Sequence, residues 1–146
     1  MRRHRIVIAA VAGLLSLPGA LLAILVMYSQ ARVSMTLLIL PVHGDVAGDV
    51  VYSVTTLLLY LLYLVGIITG LCSLLIDSSR RKASCLAAST IVGLIAAVFL
   101  DIRFRDSIPV PHYYLTWSAT MWAIIATVNR VRALPAPKPV AGDRLG

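Results

Sequence analysis

The sequence has few charged residues and lacks one acidic residue type altogether. All six of its acidic residues are aspartates, and charged residues make up 13% of the chain. Without glutamate, the chain cannot form the paired Glu motifs that bridge two metal ions in some helix bundles. Its 13 lysines and arginines flank apolar segments instead of forming one basic patch. This distribution indicates membrane topology and argues against a nucleic-acid partner.

Motifs that carry catalysis are missing too. The sequence contains no GxSxG, HExxH, P-loop or glycine-rich dinucleotide-binding motif,. Its two cysteines, Cys72 and Cys85, do not form a CxxC pair, and we interpret both as small buried apolar residues. We therefore predict no catalytic residues, no metal site and no cofactor, and the sequence gives no positive indication of an enzyme.

Long apolar runs are what the sequence does have. Residues 50–76 are 27 consecutive residues without a charge, and about 20 apolar residues suffice to cross a bilayer. Similar runs cover residues 6–28, 83–100 and 112–128, and the mean hydropathy of the chain is +0.92. We predict an all-α integral membrane protein, a four-helix transmembrane bundle formed by residues 1–132. A proline-rich, disordered cytoplasmic tail is expected at residues 133–146.

The first run allows two interpretations. Small residues follow it and would suit cleavage of a signal peptide, but the apolar part of a signal peptide usually has only about 7–15 residues. We therefore favour an uncleaved first span, with a kink at Pro18 and Gly19. The short apolar segment 35–41 cannot cross a membrane, so it is expected to lie in the interface, re-enter or pack as an extended segment. Asp49 is a suitable N-cap for the second span.

The positions of the basic residues predict the orientation. Ten lysines and arginines lie at residues 2–5, 80–82 and 130–146, whereas only Arg32, Arg103 and Arg105 lie on the other side of four spans. The positive-inside rule then places both termini in the cytoplasm. The expected location of the protein is the plasma (cytoplasmic) membrane.

Small residues recur at four-residue spacing in the predicted spans, which lets helix backbones approach closely. The second and third spans carry the clearest set, which is Gly66, Gly70, Ser89, Gly93 and Ala97. Gly66 and Gly70 form a GxxxG motif, which serves either a dimer face or packing inside one bundle.

Two polar features are candidates for ligand binding. Tyr60 and Tyr63 lie near the middle of the second span, where their hydroxyls need partners, so they form interhelical hydrogen bonds or line a pocket. At the outer ends of the spans, His43 and His112 each precede a helix that returns to the cytoplasm. Together with outer charged residues they are candidates to surround a metal or an anionic head group; the alternative is that they are exposed loop residues and helix caps. The full candidate ligand set is His43, Asp45, Asp101, Arg103, His112, Tyr60 and Tyr63.

These features favour a small polytopic membrane protein with a structural, assembly or interaction role in the bilayer. Its expected partners are lipid and either another membrane protein or further copies of this chain. The alternative is a small membrane enzyme or a ligand or lipid carrier with an outward-facing polar site.

Overall fold

The computed structural model describes residues 2–39, 46–75, 80–104 and 112–132, and these residues form four α-helices. They are α1 (Arg2–Ile39), α2 (Val46–Leu75), α3 (Arg80–Phe104) and α4 (Tyr113–Arg132). Within α1, α2 and α3, the stretches Arg3–Thr36, Gly48–Leu75 and Arg81–Phe104 are long and apolar enough to cross a membrane. The protein is therefore all-helical, with three helices of membrane-spanning length and composition where the sequence predicted four.

Helices α1 and α2 form a long antiparallel hairpin. The Ser53 hydroxyl of α2 donates a 2.6 Å hydrogen bond to the side-chain carbonyl of Gln30 near the end of α1. Further along the hairpin, Gly19 faces Tyr63. Pro18 lies inside α1, and the helix continues past it to Ile39 without interruption.

Helix α2 contacts all three other helices. Helix α3 runs antiparallel to it, with Gly66 against Gly93. Helix α4 runs parallel to it, since Tyr60 contacts His112 and the Ser73 carbonyl accepts a hydrogen bond from Asn129. Helix α4 also contacts α1 and α3, whereas the described parts of α1 and α3 do not touch each other. The bundle is thus organised around α2 and α4.

One end of the bundle holds the start of α2 and α4 and the end of α1 and α3; we refer to it as the His112 end. Counting outward from the contact of Gly66 with Gly93, α3 ends level with about residue 55 of α2,. Residues 46–54 of α2, together with the end of α1, therefore extend about 13 Å past the end of α3,. Among the described residues, those of the α1–α2 hairpin extend farthest at this end.

Two helix ends differ from the sequence-based expectation. Residues 35–39 of the short apolar segment continue α1 as regular helix, so the extended arrangement, one of the three expected, is wrong for them. Residues 40–45 lie outside the described residues. Helix α2 starts at Val46, which places Asp49 in its first turn and not at the N-cap. The Asp49 carboxylate still lies at the positive end of the helix dipole, where a negative charge is favourable.

Large apolar side chains cover the outside of the bundle, while small and polar residues fill much of its inside. Leu14, Leu25 and Phe99 are 70%, 66% and 59% exposed. Among the described residues seven polar ones are buried, and each has a hydrogen-bond partner: Ser16, Ser53, Thr56, Ser73, Thr90, His112 and Ser118. This distribution suits an apolar solvent, in which polar groups must be satisfied within the protein.

Both cysteines are free thiols. Cys72 is half-buried and Cys85 is exposed, so the interpretation of both as buried apolar residues is wrong for Cys85. The tail at residues 133–146 lies outside the described residues.

Candidate functional site

Two tyrosines of α2 face the inside of the bundle. The side chains of Tyr60 and Tyr63 are fully buried, each with 0% exposure. They are three positions apart, so they share one face of the helix. That face is turned toward α4, which supplies a hydrogen-bond partner to each hydroxyl.

His112 is the partner of Tyr60. The Tyr60 hydroxyl and His112 Nε2 are 3.0 Å apart, and His112 is only 3% exposed. The imidazole stacks on the ring of Phe104 at the end of α3, with 5.2 Å between ring centroids and 22° between ring planes. The backbone carbonyl of His112 also accepts a 2.9 Å hydrogen bond from the amide of Leu115 at the start of α4. His112 is therefore a buried junction of α2, α3 and α4 directly before the start of α4, and it is not an exposed loop residue.

Ser118 is the partner of Tyr63. The two hydroxyl oxygens are 2.7 Å apart, and Ser118 Oγ lies 3.0 Å from the Leu115 carbonyl, to which it donates. Since a serine hydroxyl has one proton, Tyr63 is the donor in the bond between the two side chains. Gly19 of α1 lies so close to this pair that an added Cβ would be 2.5 Å from the Tyr63 hydroxyl and 3.4 Å from Ser118 Oγ. This contact joins α1, α2 and α4.

Arg103 lies near the end of α3, next to α2. Its guanidinium carbon is 3.9 Å from the centroid of the Tyr52 ring, which is a cation–π distance,. Its Nε atom is buried and has no hydrogen-bond partner among the described residues. Asp101, two residues earlier on α3, is half-buried and has an interaction partner.

Only part of the predicted ligand set is brought together. Tyr60 and His112 are in direct contact, and Arg103 is next in sequence to Phe104, which stacks on His112. His43 and Asp45 lie outside the described residues. Within the described ranges, no group of three His, Cys, Asp or Glu side chains is arranged to hold a metal ion. What the structure presents is a buried aromatic and imidazole cluster with one arginine beside it.

The predicted helix-packing residues lie between helices. Gly66 and Gly93 are in backbone contact, and Gly70 lies against the side chain of Trp122 on α4. Ala97 is fully buried, and its carbonyl lies 3.4 Å from the Thr116 hydroxyl, which donates to it. Ser89 is half-buried. The GxxxG motif of α2 therefore faces α3 and α4 and not the outside of the bundle.

Four residues that contact the predicted ones were not identified from the sequence. Ser118 and Phe104 bond to or stack on predicted residues, but neither belongs to a recognisable motif. Gly19 was considered only as part of a kink with Pro18, although a glycine in the middle of a span is itself a signal of close packing. Tyr52 lies at the start of α2, and nothing in its sequence surroundings indicates a contact with Arg103.

The arrangement is suited to holding helices together and to recognising a polar group. Hydroxyl–imidazole and hydroxyl–hydroxyl bonds between spans stabilise by roughly 0.6–2 kcal/mol each. In comparisons with protein-family models, with curated proteins and with solved structures, nothing matches the chain.

Proposed function

We propose that this chain is a multi-pass membrane protein in which all four helices cross the bilayer and whose role is to interact with other membrane components, not to catalyse a reaction. The observation that carries the proposal is the distribution of polarity in the bundle. Large apolar side chains face outward along every helix, while seven satisfied polar residues lie inside. Lipid, and not water, is the surroundings that this surface matches.

Helix α4 is not among the stretches long and apolar enough to cross a membrane, but some of its polar residues face the inside of the bundle. Ser118 is buried, and Thr116 donates toward α3, whereas Ile124 and Val128 on its outer surface are 58% and 41% exposed. Its 20 residues are about 30 Å long,, which equals the thickness of the hydrocarbon core. These features support a fourth span despite its lower hydropathy.

The orientation follows from charge. Ten of the 13 lysines and arginines belong to the two termini and the connection between α2 and α3, so this side is proposed to be cytoplasmic. The His112 end then faces outward. Tyr113, Tyr114 and Trp117 at the start of α4 are 59%, 42% and 50% exposed, which is where an aromatic belt would lie.

An interaction role is supported by the α1–α2 hairpin at that end. Its projecting part carries apolar side chains that no other helix covers: Val33, Met35, Ile39 and Val51 are 50%, 68%, 77% and 65% exposed. On a segment that extends past the end of α3, these side chains would leave the hydrocarbon core. Exposed apolar surface outside a membrane is a sign of a protein contact.

Native mass spectrometry of the protein, released gently from its own membrane, tests this role. The expected result is a discrete assembly, homomeric or with a second protein, that is lost in a Met35→Glu/Ile39→Glu variant. The matched control is Thr55→Glu, which introduces a charge at an exposed polar position of α2. Leu14→Glu is unsuitable as a control because it would place a charge in the lipid. A monomer in all three samples would contradict an interaction role.

The second candidate function is a carrier or enzyme with an outward-facing polar site. The observation that favours it is the hydrogen bond of Tyr60 to His112, which joins the two features predicted separately from the sequence. A bound small molecule that is present in the wild-type protein and absent from the His112→Ala variant would support this function. Identical bound masses in both proteins would contradict it.

A further inference from the structure

We propose that Arg103 and Tyr52 form a binding site for the phosphate group of a membrane lipid at the His112 end of the bundle. The inference rests on the proposed membrane insertion and names a ligand class for the outward-facing polar end of the protein. It differs from the carrier hypothesis, because the ligand is a lipid of the surrounding bilayer and binds on the outer surface of α2 and α3.

The guanidinium of Arg103 lies over the ring of Tyr52. Its carbon lies 3.9 Å from the centre of the Tyr52 ring, so the ring covers one face of the planar group. A stacked guanidinium keeps its N–H groups at the edge, where they form the fork that binds phosphate oxygens in pairs. Tyr52 therefore orients Arg103 without using its hydrogen-bond donors.

One hydrogen-bond donor of the Arg103 guanidinium lacks an acceptor among the described residues. Arg103 Nε is buried and lacks an acceptor among the described residues. A buried donor on a charged group is costly when it has no partner. An oxyanion at the edge of the guanidinium would satisfy Nε and one terminal nitrogen at the same time, once a shift of the neighbouring side chains exposes Nε. Among the described residues, Arg103 thus has one donor that lacks an acceptor.

The position of Arg103 along α3 places it near one surface of the bilayer. Arg103 follows Lys82, a residue of the basic connection at the other end of α3, by 21 positions. At about 1.5 Å per residue this is about 32 Å, slightly more than the thickness of the hydrocarbon core. Arg103 therefore lies at the level of lipid phosphates in the outer leaflet when Lys82 lies at the cytoplasmic surface.

Exposed apolar side chains precede Arg103 on the same face of α3. Phe99 and Ile95 precede Arg103 by four and eight residues, so the three share one face of α3. Their side chains are 59% and 52% exposed, and together they form an apolar track that leads from the guanidinium into the bilayer. A phosphate held by Arg103 would place an acyl chain of the same lipid along this track. A free phosphate ion would make no use of it.

Arg32 on α1 provides a matched comparison at the same end of the bundle. It also lies over a tyrosine ring, that of Tyr28, but at 5.4 Å from the centroid. Its side chain is exposed, so water can satisfy its donors. Arg32 therefore carries a similar charge without the oriented, partly buried geometry of Arg103.

The test uses the full-length protein, purified in mild detergent and studied by native mass spectrometry with three probes: phosphatidylglycerol, diacylglycerol and inorganic phosphate. We expect wild type to retain phosphatidylglycerol and not diacylglycerol, with little displacement by inorganic phosphate. Retention should fall about tenfold in Arg103→Gln, which loses charge-assisted hydrogen bonds. It should fall less in Arg103→Lys, which keeps the charge but not the fork, and stay unchanged in Arg32→Gln.

Equal retention of phosphatidylglycerol by wild type and Arg103→Gln would overturn the proposal. So would equal retention of diacylglycerol, or displacement of the lipid by inorganic phosphate, which would identify a site for free phosphate. Thermal melting of each variant shows whether it is folded, and Arg103→Lys against Arg32→Gln decides the question if Arg103→Gln does not fold. Release of the wild-type protein from membranes by alkaline carbonate would instead contradict membrane insertion, so the two failures are distinguishable.

Discussion

Gly66 of α2 and Gly93 of α3 bring two helix backbones into direct contact. A Cβ added at Gly66 would lie 2.7 Å from the Gly93 Cα, and one added at Gly93 would lie 2.6 Å from the Gly66 Cα. Both positions face main-chain atoms, which cannot rotate away as the end of a flexible side chain can. The distance between α2 and α3 is therefore set by the absence of side chains at these two residues.

The first prediction concerns this contact. Gly66→Leu should destabilise the bundle by about 3 kcal/mol or more, because α2 and α3 would have to separate along much of their length. Reversible unfolding in a mixed detergent, followed by circular dichroism, measures the change. Gly93→Leu should have a similar effect.

Gly13 provides the control for the helix propensity of glycine. An added Cβ at Gly13 has nothing within 4 Å, so Gly13→Ala should be neutral or stabilise by up to about 1 kcal/mol. A bundle that tolerates Gly66→Leu as well as Gly13→Ala would show that α2 and α3 do not pack as described.

The second prediction concerns Gly19 and Tyr63. Gly19→Ala should destabilise, because the new methyl would lie 2.5 Å from the Tyr63 hydroxyl, which is held by its bond to Ser118. Removing that hydroxyl makes room, so Gly19→Ala should cost less free energy in a Tyr63→Phe background than in wild type. A double-mutant cycle should give a coupling of about 1 kcal/mol. Additive effects of the two changes would contradict the contact.

The third prediction concerns Tyr60 and His112. Each of the changes Tyr60→Phe and His112→Ala should lower the unfolding free energy by roughly 1–3 kcal/mol, since each removes the buried hydrogen bond between the two side chains,. The double variant should lose less than the sum of the two single losses. Tyr114→Phe, at a residue that is 42% exposed, is the control and should have little effect.

The fourth prediction concerns an unsatisfied donor. Trp122 is fully buried, and its Nε1 has no hydrogen-bond partner among the described residues. Trp122→Phe removes this donor and keeps a large ring against Gly70, so its net cost should be below about 1.5 kcal/mol. Trp122→Ala should cost about 3–5 kcal/mol. Equal losses in the two variants would show that the indole N–H contributes a bond that stabilises the bundle.

The helices could be predicted well from the sequence, because apolar runs of membrane length allow few other structures. The ends of the helices could not be predicted from the sequence. Residues 35–39 looked too short and isolated to belong to a span, but they continue α1 along the start of α2. Helix length beyond the apolar run depends on tertiary contacts such as Ser53 with Gln30, and these are not visible in a hydropathy pattern.

In the candidate site, the inward-facing residues could be predicted from the sequence, but their contact partners could not. Tyr60 and Tyr63 could be identified as inward-facing because hydroxyls in mid-span need partners. Their partners His112 and Ser118 could not be assigned, because the register of α4 against α2 depends on packing between residues far apart in sequence. The contact of Arg103 with Tyr52 likewise depends on where α3 ends relative to α2.

The most direct test of the account is the accessibility of single cysteines to a membrane-impermeant maleimide in intact cells. In a Cys72→Ser/Cys85→Ser background, three exposed positions are changed one at a time: Thr36→Cys near the end of α1, Lys82→Cys at the start of α3 and Arg132→Cys at the end of α4. Four spans with cytoplasmic termini predict labelling of Thr36→Cys in intact cells, and labelling of the other two only after permeabilisation. Labelling of Arg132→Cys in intact cells would show that α4 does not cross, and labelling of Lys82→Cys would contradict the proposed orientation.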